Sequence, residues 1–357
     1  AVVCYTTGTT GAPKGVVYGH RSIFLHTLAS LAVDTFGIRE ADRILLMPAM
    51  FHANAWGLPY SAWFAGADLL MPGPHLRTEH VRSMVATERP TFTAVVPTII
   101  NDLLHSAEGS AVDLSSFRVI VSGGSAVSPA LIDAVRERWG VPVLQGWGMT
   151  ETSPLCTLSH PPRDAMPADE PRWRAKSGRP VPGMQVRLSG DDGRAVPWDG
   201  STVGELQLRG PWVTGSYYEV DAPASFTTDG WLRTGDVGTI DERGYVQVTD
   251  RAKDVIKSGG EWVSSVDLEN QLAHHPAVHE VAVIGIPDPR WEERPLPLIV
   301  LKPGQDATPD ELRAFLEPRV ARFCLPERWA FLPELPRTSV GKMDKKELRR
   351  RFAEGLV

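Results

Sequence analysis

Between the apolar Ala1–Tyr5 and the apolar-periodic Val16–Leu31 lies the stretch TTGTTGAPKG, Thr6–Gly15. Glycines let the chain turn so that several backbone N–H groups converge on one anion, the threonine hydroxyls add donors, and Lys14 adds positive charge. That composition suits phosphate. The spacing is not the Walker pattern Gly-x-x-x-x-Gly-Lys-Ser/Thr, because Pro13 precedes the lysine and Gly15 follows it. A metal near such a loop needs a ligand other than a hydroxyl after the lysine. A flexible surface linker has the same composition.

Gln145–Glu151, QGWGMTE, is a second such place. Gly146 and Gly148 flank Trp147 and leave room for a planar group on the indole. Thr150 and Glu151 offer a hydroxyl and a carboxylate at one point. A carboxylate beside phosphates needs a cation between them, which makes Glu151 a candidate magnesium ligand; a glutamate opening a surface helix would read the same way. Upstream, Ser122–Ala126 (SGGSA) brings glycines that a ligand can approach closely. In WLRTGD, Asp236 stands after a glycine turn, where an acidic side chain takes ribose hydroxyls or simply closes the turn.

These pieces sit in an alternation of strand-like and helix-like segments. Arg43–Met47, Asp68–Met71, Thr91–Val96 and Arg118–Ser122 read as strands and Arg77–Glu88 as a helix, which predicts an α/β sheet. Ala1–Tyr5 reads as a buried strand and Val16–Leu31 as a helix. Near Arg179 the texture changes to short strands and turns (VPGMQVRL, VGELQLRG, GYVQVTD), a smaller β-rich region. From Asp250 a compact pattern follows, with helices over Val263–His274 and Pro309–Phe323, strands over Val278–Gly285 and Leu298–Leu301, and a helical tail from Lys342. The boundary is placed at Asp250–Lys253, giving a large domain over 1–250 and a C-terminal domain over 251–357.

The 357 residues are 42% hydrophobic and 22% charged, an ordinary balance for a globular protein, and the length predicts more than one domain. A net charge of -6, with no basic stripe beyond Lys345–Arg351, gives no basis for nucleic-acid binding. Cys4, Cys156 and Cys324 are far apart and form neither a CxxC metal site nor a disulfide framework, which fits a reducing cytoplasm. No apolar run is long enough to span a bilayer, and no signal peptide is visible. The chain starts without Met on a strand-like segment, which predicts a fragment lacking upstream strands.

Taken in order, TTGTTGAPKG, QGWGMTE, WLRTGD, DRAKDVIKSGGEW and PRTSVGK resemble the successive motifs of the adenylate-forming (AMP-binding) superfamily. That group holds acyl-CoA synthetases, peptide-synthetase adenylation domains and beetle luciferases, and the resemblance covers essentially the whole chain. MPAMFHANAWGLPYS, GGEWVSSVDLEN and IPDPRWEERP are similar to the wording of medium- and long-chain fatty-acyl-CoA synthetases, which carry a further N-terminal region. The resemblance implies a large α/β domain, incomplete here, with a β-rich subdomain and a small mobile C-terminal α+β domain. It also implies an acid–thiol ligase that makes acyl-AMP and pyrophosphate from ATP and an acid, then acyl-CoA from CoA, with Mg2+. A homodimeric full-length form and a peripheral membrane association stay open.

Carried over by motif position, the resemblance assigns Thr6, Thr7, Gly8, Thr9, Thr10, Gly11 and Lys14 to the β- and γ-phosphates of ATP. Gly124, Ser125 and Trp147 would border the adenine, with Gln145, Gly146 and Gly148 also in the ATP/AMP site, Thr150 would meet the α-phosphate, and Asp236 and Arg251 the ribose. Glu151 and Thr6 would hold magnesium. Lys342 matches the lysine that reaches the α-phosphate and the carboxylate. Lys253 sits at the hinge position, and Lys257, Gly259, Gly260 and Trp262 form the loop that meets CoA. Two departures stand out: Thr7 replaces the commoner Ser, keeping the hydroxyl, and Trp147 replaces the commoner Tyr, keeping the stacking face.

The substrate reading rests on Phe51–Tyr60. Amino-acid adenylation domains carry an aspartate here to pair with the α-amine, whereas this chain has His52 and Asn54 in a frame of Trp56, Leu58 and Tyr60. An uncharged, apolar acid fits that frame. His52 matches the family's histidine near the carboxylate, and Trp56 the gate of the acyl tunnel; a core histidine and a core tryptophan are the plain alternatives. A short-acid ligase of the methylmercaptopropionate type and an inactive nucleotide-binding fragment remain the rival functions.

Overall fold

Short apolar runs in the first half become the strands of a seven-stranded sheet. The computed structural model describes residues 1–6, 13–73, 76–105, 112–190, 192–251, 255–258, 261–338 and 343–357. Its first strands are β1 Val2–Thr6, β2 Lys14–Tyr18, β3 Arg43–Leu46, β4 Asp68–Leu70, β5 Phe92–Val95, β6 Val119–Gly123, β7 Val143–Gly148, β8 Leu155–Leu158 and β9 Arg179–Pro180. The large sheet runs in the order β4-β3-β5-β6-β7-β8-β9. Pairing is parallel from β4 through β7 and antiparallel across β7–β8 and β8–β9. Every residue of β5 and β6 is buried, as in parallel sheets covered on both faces, so these strands read as unbroken apolar runs rather than alternating ones. Helices Thr78–Glu88, Pro97–His105 and Pro129–Trp139 pack Val81, Val85, Ile100, Leu103, Ile132 and Val135 against one face of the sheet.

The first strand is not the buried one the sequence predicts. β1 and β2 pair only with each other as an antiparallel ribbon, Thr6 opposite Lys14. Cys4, Val16 and Tyr18 point inward while Val3 and Tyr5 are exposed, the period of two that a one-faced ribbon requires. The helix expected over Val16–Leu31 accordingly divides: β2 runs to Tyr18, Gly19 caps, and the helix is His20–Leu31. Likewise the helix expected to Phe323 is Pro309–Leu316, because Pro318 lacks the N–H needed to continue it.

A four-stranded sheet follows, in the order β10-β11-β12-β13, with β10 Gln185–Ser189, β11 Gly204–Arg209, β12 Leu232–Ile240 and β13 Val246–Arg251. The chain divides into two compact units, residues 1–234 with 239–247 and residues 235–238 with 248–357, so the division falls within β12 and β13. The second unit adds β14 Ile256–Ser258, β15 Glu261–Val263, β16 Val278–Asp288, β17 Glu292–Leu301 and β18 Ala330–Phe331. Along the β16–β17 hairpin, Val283 and Ile299 face helices Ser265–Ala273 and Pro309–Leu316. Ala282, Ile284, Leu298 and Val300 face Leu348 of helix Lys345–Ala353 on the other side. A sheet covered twice explains the continuous run Leu296–Leu301. Arg294 crosses the inside of this unit, donating to Ser258 Oγ and to the carbonyls of Phe323 and Leu325.

One buried ion pair ties the first unit's sheet to the turn ahead of β3. Asp42 is 1% exposed and accepts from Arg118 Nε and Nη2 at 2.8 and 2.7 Å and from the Thr91 hydroxyl at 2.8 Å. Burial pushes its carboxyl upward, but Arg118, Thr91 and the Arg39 N–H together outweigh burial and hold it below the usual carboxylate range. Its stabilising contribution is therefore full above about pH 4 and is lost as pH falls through its lowered value. Arg118→Ala strands a buried carboxylate and is expected to cost about 3 kcal/mol at pH 7 in chemical denaturation. That deficit should narrow as pH falls and the unpaired Asp42 takes up a proton; a deficit independent of pH between 7 and 4 would contradict the assignment.

Candidate nucleotide site

The in-register parallel pairing of β6 with β7, Ser122 opposite Gln145 and Gly123 opposite Gly146, delivers two loops side by side at the carboxyl ends of the strands. Gly124 and Ser125 leave β6 there, exposed, and Met149 to Glu151 follow the end of β7, which carries Trp147. The carboxyl end of a parallel sheet is where open α/β folds bind ligands. β3 ends at the same edge and leads through Met47–His52 to Trp56.

Glu151 does not open a surface helix. Thr150–Thr152 is a single 3-10 turn, and Thr150 and Glu151 are 8% and 5% exposed. The turn is clamped from several sides. Tyr18 donates its hydroxyl to the Thr150 carbonyl at 2.6 Å, and Thr214 N donates to the Glu151 carbonyl at 2.8 Å. Ser153 Oγ donates to the Trp212 carbonyl, and Trp212 Nε1 to the Leu155 carbonyl. His26 accepts from Leu155 N at 3.3 Å; complete burial lowers its imidazole to about 4, so it stays a neutral acceptor near neutral pH.

Of the two glycines flanking Trp147, Gly148 answers to the protein itself. A Cβ at Gly148 would lie 1.9 Å from the Pro154 carbonyl oxygen, so the tight return from β7 to β8 excludes any side chain there. Gln145 is also engaged from within: its Oε1 accepts from Val127 N at 2.6 Å and its Nε2 donates to Ser177 Oγ at 3.4 Å. Its side chain thus anchors the loop that carries Gly124 and Ser125.

The segment ahead of the helix Leu58–Ala65 holds an unusual backbone. Ala53, Asn54, Ala55, Trp56 and Gly57 all have positive φ, between 46° and 74°. This left-handed turn costs about 1–2 kcal/mol for each L-residue in it. Such strain clusters at sites that need a side chain aimed in one direction. Asn54 donates to the Tyr60 hydroxyl at 3.1 Å and accepts from Cys4 Sγ at 3.6 Å, while Ala53 and Ala55 are buried. Trp56 is turned onto the strand ends, its Cη2 3.6 Å from where a Cβ on Gly123 would stand. His52 is half-buried immediately before the turn.

A residue that the sequence reading passed over completes the cluster. Tyr217 donates its hydroxyl to Glu151 Oε1 at 2.7 Å, and Lys14 Nζ lies 4.7 Å from the centre of its ring. Its neighbour Tyr218 donates N–H to the Gly15 carbonyl at 2.8 Å. The stretch TGSYY, Thr214–Tyr218, has no glycine-loop or carboxylate signature of its own; the paired tyrosines after a glycine were the one available signal.

Two further expected site residues belong to the second unit. Asp236 is not in a turn: it is 6% exposed within β12, in the second unit, and Arg251 ends β13. Thr249 Oγ1 donates to the Val237 carbonyl beside them. Lys257 pairs with Trp262 across β14–β15. Thr7, Gly8, Thr9, Thr10, Gly11, Lys253, Gly259, Gly260 and Lys342 lie outside the described residues. The three cysteines are free thiols, and burial pushes each of them upward, Cys324 to about 11.

The left-handed turn is checked at Gly57. Its φ is +74°, and a Cβ there would stand 2.7 Å from Cε1 of the buried His26 ring. Gly57→Ala should cost the left-handed penalty of about 1–2 kcal/mol plus the displacement of His26. Gly66→Ala, with φ +76° but only the Glu40 chain at 3.6 Å, should cost the backbone penalty alone. Equal losses in urea denaturation would mean that His26 does not brace the turn.

Sequence and structure comparisons identify the family. Residues 1–218 match the family model of the AMP-binding enzyme, and residues 267–342 that of the AMP-binding enzyme C-terminal domain. The chain is 46% identical to a long-chain-fatty-acid–CoA ligase of Thermus thermophilus, over 98% of this chain and 65% of that protein. It is 42% identical to a 3-methylmercaptopropionyl-CoA ligase of Ruegeria pomeroyi, over 99% of this chain and 66% of that one. It thus spans just under two thirds of the length of these curated relatives. Among solved structures, the anthranilate CoA ligase AuaEII in complex with anthranoyl-AMP superposes with a TM-score of 0.88 at 32% identity, over 99% of this chain and 68% of that one. The strand-end loops, the buried Thr150–Glu151 turn and the family match over more than half its length show that this chain belongs to the AMP-binding enzyme family.

Proposed function

We propose that this chain carries the main part of an AMP-forming acid–CoA ligase acting on an apolar carboxylic acid. The observation that carries the reading is the position of Trp56. A carboxylate-free turn, with His52 before it and Asn54 and Tyr60 bonded to one another, presses its tryptophan onto the same strand ends that bear Gly124, Ser125 and Glu151. An acid lying along that turn meets an aromatic, uncharged surface with its head toward the nucleotide side. The relatives named for fatty acids and for 3-methylmercaptopropionate support an acid without an amine.

In this reading the acid's carboxylate oxygen attacks the α-phosphorus of ATP, a P–O bond forms, and pyrophosphate leaves. The CoA thiolate then attacks the acyl carbon and AMP leaves. Such transfers are accelerated mainly by positioning and by neutralising charge. The roles proposed are Lys14 for the departing pyrophosphate, Thr150 for the α-phosphate, and Lys342 for the α-phosphate together with the carboxylate. Asp236 and Arg251 take the ribose. Lys257–Trp262 serves the second half-reaction, and Lys253 is the hinge between the two. Among the described residues no cluster of three or more His, Cys, Asp or Glu side chains would hold a metal. Glu151, a single buried carboxylate, fits a Mg2+ shared with phosphate oxygens, the usual manner for that ion. Bound there, Mg2+ would neutralise phosphate charge. No helix among the described residues is long and apolar enough to cross a membrane, and three free thiols fit a reducing cytoplasm.

ATP–pyrophosphate exchange on a panel of fatty, short thioether and amino acids, with acyl-CoA formation read separately, tests the reading. Exchange is expected with apolar acids without CoA and with no amino acid. Exchange with none of the panel would overturn it. Trp56→Ala should move the preferred chain length, since pocket contacts discriminate by about 1–3 kcal/mol per methylene. Lys342→Ala should lose about 10²–10³ in acyl-AMP formation, yet convert supplied acyl-AMP to acyl-CoA at nearly the normal rate. Equal loss in both halves would contradict separate sets of residues for the two steps.

A further inference from the structure

Tyr217 stands between the two charged groups assigned to the phosphates. Its hydroxyl spends its one proton on Glu151 Oε1 at 2.7 Å, leaving Oε2 as the other oxygen of a carboxylate that is 5% exposed. The face of the same ring lies under the Lys14 ammonium at 4.7 Å. The segment is fixed from both sides: Thr214 N holds the Glu151 carbonyl and Tyr218 N holds the Gly15 carbonyl, each at 2.8 Å. A ring that bonds an anion at its edge and a cation on its face orders both Glu151 and Lys14.

We propose that Tyr217 is a positioning residue of the nucleotide site: its hydroxyl orients Glu151 for a divalent cation, and its ring face holds Lys14 at the start of β2. The inference rests on the reading of Glu151 and Lys14 given above. The hydrogen-bonded partners that orient a metal ligand are typically worth about 10–100-fold in metal affinity. A cation on an aromatic face is worth about two- to fivefold at a partly exposed site.

The experiment reads binding without turnover, using the chain as it is, Mn2+ as the metal probe and a non-hydrolysable ATP analogue. Mn2+ binding to the analogue complex is followed by electron paramagnetic resonance, and metal-free analogue binding by calorimetry. Tyr217→Phe removes the hydroxyl and keeps the ring. It should weaken Mn2+ about tenfold and leave metal-free analogue binding within about twofold of the parent. Tyr217→Leu removes both and should show the same Mn2+ loss together with about threefold weaker metal-free binding. A structural role alone would lower both affinities together in the Phe variant, along with thermal stability, and would overturn the proposal. Glu151→Gln is the control that separates the two layers. If it abolishes Mn2+ binding while Tyr217→Phe binds as the parent does, the Tyr217 assignment is overturned and the Glu151 reading stands. If Glu151→Gln also leaves Mn2+ binding unchanged, both are overturned.

Discussion

Parallel pairing of β6 with β7, residue for residue from Ile120 opposite Val143 to Gly123 opposite Gly146, is the constraint on which the site depends. Two strands that run the same way and end level must release their following loops at one edge of the sheet. The exposed Gly124–Ser125 loop and the Trp147–Glu151 segment are neighbours for that reason, although more than twenty residues of chain and a helix separate them. β7 then pairs antiparallel with β8, so the chain turns back sharply at the same edge. That reversal forces Gly148 against the Pro154 carbonyl and buries Thr150 and Glu151 in a single turn.

Burying a carboxylate in a turn is costly unless its partners are arranged in advance. Here Tyr217 bonds the carboxylate itself, and the backbone of the turn and of Leu155 after it is held from distant parts of the chain: by Tyr18 from β2, His26 from the first helix, and Trp212 and Thr214 from the segment after β11. The same His26 lies under the left-handed turn at Gly57. One neutral ring therefore braces both the turn that carries Glu151 and the turn that carries Trp56. The strain of four L-residues at positive φ is held by this packing and by the bonds of Asn54 to Tyr60 and Cys4. Rigid support beneath, with the chemical groups on loops above, is the usual division in α/β enzymes.

Much of this was legible in the sequence. The glycine–threonine loop, the Trp147–Glu151 segment and the order of the motifs identify the family, because glycines, hydroxyls and charges at fixed spacing are local signals. The parallel strands were legible too, since a strand covered on both faces is apolar at every position, as Thr91–Val96 and Arg118–Ser122 largely are. Ends of elements were less so. Val16 and Val17 belong to a ribbon strand, not to the helix whose periodicity they share, and Asp236 sits inside β12, where a glycine beside it read as a turn.

By itself, then, the sequence determined the family, the fold class and the candidate charged groups, since these depend on residue types within a few positions of each other. Tertiary structure decided what holds those groups. That Gln145 anchors a loop, that His26 stays neutral beneath two turns, and that Tyr217 bonds Glu151 while facing Lys14 all depend on contacts between residues 18 to 203 positions apart. No local spacing encodes them. They exist because packing and buried hydrogen bonds are settled among neighbours in space, after the strands have paired.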